Sequence, residues 1–203
     1  MGDSEVEYDS VLVVSFGGPE QRADVMPFLE NVVRGKNVPP ERLKEVAAHY
    51  NHFEGKSPIN DQNRALIAAL EEELAKSEID LPVYWGNRNW HPYIVDALEK
   101  MKADGKKRAL ALMTSAYSSY SGCRQYRENI DEARSEIGDG APVVEKLRVF
   151  YNHPGFVEAN VDRLLVALET LPKERRECAR VAFTAHSIPD AMAATCDLSL
   201  IHI

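Results

Sequence analysis

The sequence predicts an α/β protein built on a doubly wound parallel sheet with helices on both faces. Short apolar, β-rich runs alternate with longer amphipathic patterns along the chain. The first apolar run breaks at two glycines, and several helical patterns begin at a proline or end at a glycine. Strands that alternate with helices are joined by crossover connections, and these connections produce parallel pairing.

The first part of the chain is predicted to be a strand followed by helices. "SVLVVSFGG" (10–18) is typical of a buried strand that ends at its glycines. Pro19 and Glu20 should open a helix, because proline suits a first helical turn and an acid suits the positive end of the dipole. "PPERLKEVAAHY" repeats that start, and "DQNRALIAALEEELAKS" carries an apolar stripe. The stripe consists of Leu66, Ile67, Leu70 and Leu74.

The remaining chain continues the alternation. The predicted strands are "LPVYWGN" (81–87), "KRALALMTSAY", "VVEKLRVFY" and "RVAFTAH" (180–186). The predicted helices are "HPYIVDALEKMKADG", "GCRQYRENIDEARSEIG" and "PGFVEANVDRLLVALETL". A polar stretch at 172–178 precedes the fifth strand and is a candidate domain seam.

The composition limits the classes of function. Of the 203 residues, 44% are hydrophobic and 28% are charged, as in an ordinary globular protein. The formal net charge of -8 argues against a nucleic-acid partner. No apolar run approaches the ~20 residues of a membrane span, and the acidic N-terminus does not resemble a signal peptide. With three widely spaced cysteines, a disulfide framework is not expected, and the predicted compartment is the cytoplasm.

The residues that bind and convert a ligand should lie at the carboxyl ends of the strands, where α/β sheets bind their ligands. The segments that follow the strands are rich in aromatic, hydroxyl and histidine side chains and poor in acids. That composition favours a large, flat, partly apolar ligand with a few anionic groups.

Two of these segments allow a structural and a functional interpretation. "SFGGPE" lacks the third glycine of a dinucleotide fingerprint, so it is either a tight turn alone or a turn that also brings Phe16 close to a ligand. "TSAYSSYSGC" supplies an N-cap for the next helix, but this role does not explain Tyr117 and Tyr120. Candidate anion-binding residues are Arg34, Lys36, Lys56 and Ser57.

His186 is the candidate general base. It stands at the predicted tip of the fifth strand in "RVAFTAHSIP", and an imidazole there titrates near working pH. The sequence contains neither an H-x-x-x-H nor a C-x-x-C spacing, so it does not support a local zinc site. His49 and His52 are expected to be surface residues near a helix end.

Several segments together resemble the ferrochelatases, the lyases that insert ferrous iron into a porphyrin at the end of haem biosynthesis. The resemblance covers residues 9 to about 197 and keeps the order of the family's segments. It is closest to bacterial forms, many of which use coproporphyrin III rather than protoporphyrin IX. The segments are "VLVVSFGGPE", "FLENVVRGKNVP", "GKSPIN", "LPVYWGNRNWHPY", "TSAYSSYSGCRQY", "KLRVFYNHPGF" and "FTAHSIP".

The resemblance implies the architecture and the ligands. It implies an N-terminal chelatase lobe (6–150), the beginning of a second, similar lobe (151–197) and a porphyrin cleft between them. The ligands would be Fe²⁺ as a substrate and a porphyrin, with other haem-biosynthesis enzymes as candidate partners and no integral membrane segment. The last residues, "LSLIHI" (198–203), match a transposon-end adapter used for sequencing libraries, and we expect them to be read-through.

The resemblance also implies roles for individual residues. His186 matches the family's catalytic histidine and would bind Fe²⁺ transiently while it accepts porphyrin protons. Arg34, Ser57 and Tyr126 fall in segments that contact propionates or line the cleft, and Tyr117 and Tyr120 would grip the ring. Phe16 stands where many relatives have a tyrosine, and a phenyl ring cannot ligate a metal.

Cys123 has two interpretations. Some ferrochelatases carry an iron–sulfur cluster, here a candidate [2Fe–2S] centre, with one ligand in this segment and the others near the C-terminus. The residue itself favours an inert, partly buried cysteine.

Two other functions are kept as alternatives. One is a chelatase that inserts cobalt or nickel into a tetrapyrrole on the same fold. The other is a porphyrin-binding module without catalysis. Because most of the second lobe is missing from these 203 residues, we expect the chain by itself to have little or no chelatase activity.

Overall fold

A computed structural model describes residues 7–119, 122, 124–184 and 190 of the chain. The chain divides into two compact units. The first comprises the residues up to Thr114 together with Gln125–Leu147. The second comprises Ser115–Arg124 and the residues from Arg148 onward.

The first unit contains a parallel sheet of four strands in the order β2-β1-β3-β4. The strands are β1 (Ser10–Ser15), β2 (Val83–Asn87), β3 (Arg108–Met113) and β4 (Val143–Lys146). The predicted parallel α/β fold is therefore confirmed. Strand β4 ends at Lys146, several residues before the end of its predicted run.

The helices of the described residues are α1 (Arg22–Val32), α2 (Pro40–His52), α3 (Ile59–Lys76), α4 (Ile94–Ala103), α5 (Gln125–Ile137), α6 (Pro154–Glu169) and α7 (Lys173–Arg176). The first six occupy predicted segments, whereas α7 lies in the polar stretch at 172–178 that was predicted as a candidate domain seam. Helix α1 begins later than the predicted Pro19 start. The Asp24 carboxylate accepts hydrogen bonds from the backbone N–H of Glu20 and the side-chain amide of Gln21, so it holds the residues that precede the helix against its first turn.

The sheet has helices on both of its faces. Leu12, Tyr84 and Ala111 share one face by register, and they belong to the main apolar core with residues of α4 and α5. Trp85, on the other face of β2, lies under the Arg64 guanidinium of α3, 5.4 Å from its ring centroid. This arrangement is the doubly wound architecture that the sequence predicts.

Helix α3 is less buried than its apolar stripe suggests. Leu66 is 41% exposed, and the other members of the stripe are half-buried. The buried residues of this helix are instead Asn60 and Asn63. The stripe correctly predicted the helix, but hydrogen bonding of Asn60 at the N-terminal end fixes which side faces the sheet.

The second unit contains α6 and α7, and neither helix has a buried residue. The fifth strand predicted at 180–186 is not formed over Arg180–Thr184. A strand needs a neighbour to complete its backbone hydrogen bonds, and no partner strand for this segment occurs in the part of the chain that the structure describes. His186 and residues 198–203 lie outside the described residues. Among the described helices, none combines the length and the apolar character needed to cross a bilayer.

Candidate functional site

Three loops of the first unit meet at the carboxyl edge of the sheet. They are residues 16–21 after β1, 53–58 between α2 and α3, and 88–93 after β2. The Ser57 backbone N–H donates to the Pro19 carbonyl at 2.8 Å. The loops therefore contact one another directly and do not move independently.

The loop after β1 is a tight turn with little free space. Gly17 has a φ of +79°, and a Cβ atom there would lie 2.8 Å from the Asn87 Cβ. A Cβ atom on Gly18 would lie 2.7 Å from the Ser57 Cβ. The glycines are needed for close packing of protein segments, which is the structural interpretation of "SFGGPE".

Phe16 nevertheless presents its ring at the surface. It is 37% exposed and packs edge-to-face on Phe28, with ring centroids 6.2 Å apart. Phe28 also contacts the Tyr50 ring at 5.9 Å and the Trp90 ring at 6.2 Å. An aromatic cluster therefore connects the loop after β1 to α2 and to the loop after β2.

A pocket of about 450 Å³ opens beside this cluster. It is lined by His49, Tyr50, Phe53, Lys56, Ser57 and Pro58. Phe53 is 70% exposed, and burial raises the pKa of the Tyr50 hydroxyl. Lys56 pairs with Asp61 at 2.6 Å, and hydrogen bonding from Lys56 lowers the pKa of the Asp61 carboxyl. The pocket therefore offers an aromatic floor with a cation, an imidazole and a hydroxyl at its rim.

Arg34 lies beside a second cavity, of about 350 Å³, between the ends of α1, β2 and α5. Arg88, Tyr93, Asn129 and Glu132 also line it. Burial raises the pKa of Tyr93, and the nearby charge of Arg34 opposes that shift. Within the described ranges, Arg34 makes no ion pair, so it can receive an anionic group.

Tyr126 and Tyr117 lie in different environments. Tyr126 is 6% exposed within the main core, and burial raises the pKa of its hydroxyl to about 12. Tyr117 belongs to the second unit, where it stacks on Tyr151 with ring centroids 6.3 Å apart and contacts the edge of Phe156. Their roles toward a substrate stay predictions.

The remaining predicted site residues lie outside the described residues. They are Tyr120, Cys123 and His186. In the described ranges, no group of three or more acidic, His or Cys side chains is arranged to hold a metal ion. A [2Fe–2S] cluster takes four protein ligands, usually thiolates, whereas the chain contains three cysteines. The cysteines present do not by themselves make up that ligand set.

Sequence reasoning missed Tyr50, Phe53 and a pair of buried asparagines, Asn60 and Asn87. His49 is a surface residue, as expected, but it also lines the pocket at Ser57. The aromatic residues and histidines concentrated in "HYNHFEGKSPIN" were the available signal. Periodicity assigned them to a helix and its end, and it could not show that this end faces a pocket.

Comparison with known proteins identifies the family. A profile described as ferrochelatase matches residues 8–198. A ferrochelatase of Rhodopirellula baltica is 63% identical over 94% of the chain and 54% of its own length. Coproporphyrin III ferrochelatases of Streptomyces coelicolor and Mycolicibacterium smegmatis are 57% and 51% identical, over 92% and 96% of the chain and 50% and 57% of their own lengths. The chain thus spans about half the length of the curated relatives it matches. It belongs to the ferrochelatase family.

Proposed function

We propose that this chain is the porphyrin-binding half of a ferrochelatase that inserts Fe²⁺ into coproporphyrin III. The observation that carries the proposal is the aromatic pocket at Ser57, together with a sequence more than half identical to coproporphyrin III ferrochelatases. Coproporphyrin III carries more propionates than protoporphyrin IX. The cationic groups around the pocket suit the more anionic ring.

The first step is binding of the flat, partly apolar macrocycle. The rings of Phe16, Tyr50 and Phe53 supply an apolar surface of the size that stacks on a tetrapyrrole. Lys56, Ser57 and Arg34 would receive propionate carboxylates through charge-assisted hydrogen bonds. These contacts fix the ring by its periphery and leave its centre free.

The second step is exchange of the inner protons for the metal. The N–H protons of the porphyrin lie in the ring plane and block Fe²⁺, so the ring must bend until its pyrrole lone pairs tilt outward. We assign His186 as the base: its neutral imidazole accepts the two pyrrole protons one after the other and passes each to water, so two protons leave the ring for each Fe²⁺ that enters. A neutral base adds no permanent charge to an apolar cleft.

The binding step is tested by fluorescence titration of the chain with coproporphyrin III. Wild type should bind the ring, and Phe53→Ala should weaken binding about ten-fold through loss of a stacking surface. Ile79→Ala, an exposed apolar residue just before β2 at the opposite edge of the sheet, is the control and should bind as wild type does. Equal affinity of wild type and Phe53→Ala for coproporphyrin III would show that this pocket does not bind the ring.

The catalytic step is tested in a fusion of residues 1–197 to the C-terminal half of the Rhodopirellula relative. The fusion should metallate coproporphyrin III with Fe²⁺, and His186→Ala should lower the rate at least about 100-fold while leaving porphyrin binding intact. His153→Asn, at the N-cap of α6 where asparagine can also cap, is the control. The chain by itself should show little turnover. A preference of the fusion for Co²⁺ or Ni²⁺ and another tetrapyrrole would favour the rival chelatase, and binding without turnover would favour a binding module.

A further inference from the structure

Two buried asparagines join the loops that carry the candidate site. Asn60, at the start of α3, is 1% exposed, and Asn87, at the end of β2, is 0% exposed. The Asn87 side-chain amide donates to the Asn60 Oδ1 at 3.4 Å. Buried amides are costly unless their polar atoms are hydrogen-bonded, so a fully bonded pair indicates a specific structural task.

The bonding of this pair is complete. The Asn60 Nδ2 donates to the Gly18 carbonyl at 3.1 Å and to the Glu20 Oε1 at 3.2 Å. The Asn87 Nδ2 donates to the His91 carbonyl at 3.1 Å as well as to Asn60, and its Oδ1 accepts from the Trp85 indole at 3.0 Å. Each side-chain amide therefore uses both of its hydrogens and its oxygen.

The bonds of the pair reach two of the three loops of the site. The Gly18 carbonyl belongs to the loop that carries Phe16, and His91 belongs to the loop that carries Trp90. Asn60 itself lies three residues after Ser57 on the segment that lines the pocket. Backbone bonds join these loops at single points, from the Ser57 N–H to the Pro19 carbonyl and from the Asn89 N–H to the Phe16 carbonyl. The amide pair adds buried side-chain bonds between the start of α3, the Gly18 loop and the His91 loop.

We propose that Asn60 and Asn87 are positioning residues that fix the Phe16 and Ser57 loops relative to each other. This proposal rests on the proposed function. A porphyrin that is held in a bent shape exerts a force on the pocket residues that bend it. If the loops around the pocket were loosely joined, they would shift and let the ring return to its flat shape. The two hydrogen-bonded asparagines stiffen the pocket where the Phe16 loop, which would contact the ring, meets the Ser57 loop, which would bind a carboxylate.

The chain offers a matched control on the same helix. Asn63 is also buried, at 4% exposed, and its Nδ2 has no hydrogen-bond partner in the described part of the structure. Asn63→Ala removes a buried amide one turn further along α3 without removing a bond to any of the three loops. The comparison of Asn60→Ala with Asn63→Ala therefore separates loop positioning from burial of an asparagine.

The first readout needs no porphyrin. Hydrogen exchange of the Ser57 amide, which donates to Pro19, should accelerate at least about ten-fold in Asn60→Ala. It should be unchanged in Asn63→Ala, and amides of the β1–β3 ladder should keep their protection in both variants. Unchanged Ser57 exchange in Asn60→Ala, or equal acceleration in the two variants, would overturn the proposal. If Asn60→Ala does not fold, Asn60→Ser and Asn87→Ser give the same comparison with a smaller loss of volume.

The second readout follows bound coproporphyrin III by its Soret band, which shifts to the red when the ring leaves planarity. Asn60→Ala should bind the ring within about three-fold of wild type but show a smaller red shift, and Asn63→Ala should show the full shift. A full shift in both variants would contradict the claim that the pair stiffens the pocket. Failure of wild type to bind coproporphyrin would count against the proposed function, whereas the exchange experiment would still decide on the amide pair.

Discussion

Helices α4 and α6 have similar apolar patterns and opposite burial. In α4, Ile94, Ala97, Leu98 and Met101 are all buried. In α6 no residue is buried, and Val161 and Leu165 are 48% and 53% exposed. The difference teaches that an apolar stripe predicts a helix, whereas burial needs an opposing surface. Helix α4 packs in the main apolar core with residues of β1, β2 and β3, and no described segment gives α6 such a surface.

The largest expected effect is on stability in the first unit. Leu98→Ala removes a side chain with 0% exposure and should lower the free energy of unfolding by about 3 kcal/mol. Leu165→Ala, the same change in α6, should cost less than about 0.5 kcal/mol. Urea unfolding followed by circular dichroism measures both. Equal losses would mean that α6 is packed in solution.

A smaller difference in stability between the two units is expected when a glycine is replaced by alanine. Gly18→Ala places a Cβ 2.7 Å from Ser57 and should destabilise the first unit by about 2 kcal/mol through overpacking. Gly155→Ala in α6 meets its nearest atom at 3.5 Å, an ordinary contact. It should raise stability by about 0.5 kcal/mol, because alanine has less freedom in the unfolded chain. Thermal unfolding compares the two, and tolerance of Gly18→Ala would contradict the close packing of the loops.

An alkaline loss of stability should also be specific to the first unit. Burial raises the pKa of Tyr126 to about 12, above the value of about 10 in the unfolded chain. The unfolded state therefore loses its proton first, and stability should fall between pH 10 and 12 by up to about 1.4 kcal/mol per pH unit for this group. Burial also raises the pKa of Tyr84 to about 12, so Tyr126→Phe should reduce the slope of the first unit without abolishing it in urea titrations at graded pH. An unchanged slope would show that Tyr126 does not contribute to it.

The smallest effect is expected at an exposed ion pair. Lys56 and Asp61 are each 52% exposed in their side chains, so solvent screens their attraction. Lys56→Gln should move the urea midpoint less than Gly155→Ala does, and the shift should vanish in 1 M salt. Its porphyrin affinity should nevertheless fall at low salt. A large salt-independent loss of stability would mean that Lys56 supports the fold itself.

Much of the first unit was predictable because its signals are local. The apolar run that begins at residue 10 predicted the strand that lies inside the sheet. The candidate site was predicted only in part. Ser57 lines a pocket, and its role toward a substrate stays a prediction. Tyr50 and Asn60 were not identified, because their neighbours come from segments distant in sequence.

The fifth strand, in contrast, was predicted from the sequence but is not formed. Residues 180–184 have a strand-like composition, yet they form no strand in the structure. Strand formation is not local, because half of each backbone bond belongs to another segment. A β-rich run therefore predicts that a segment can form a strand where a partner strand is available to pair with it.

The sequence by itself determined the order of helices and strands, the parallel α/β class and the resemblance to the ferrochelatases, because periodicity, turn residues and motifs are written along the chain. Tertiary structure alone decided that α4 is buried while α6 is exposed, that Tyr126 lies in the core, and that Asn60 and Asn87 join three loops. The physical reason is that a side chain is buried, or hydrogen-bonded to another side chain, only when a second segment packs against it. Segments distant in sequence come together only when the chain folds.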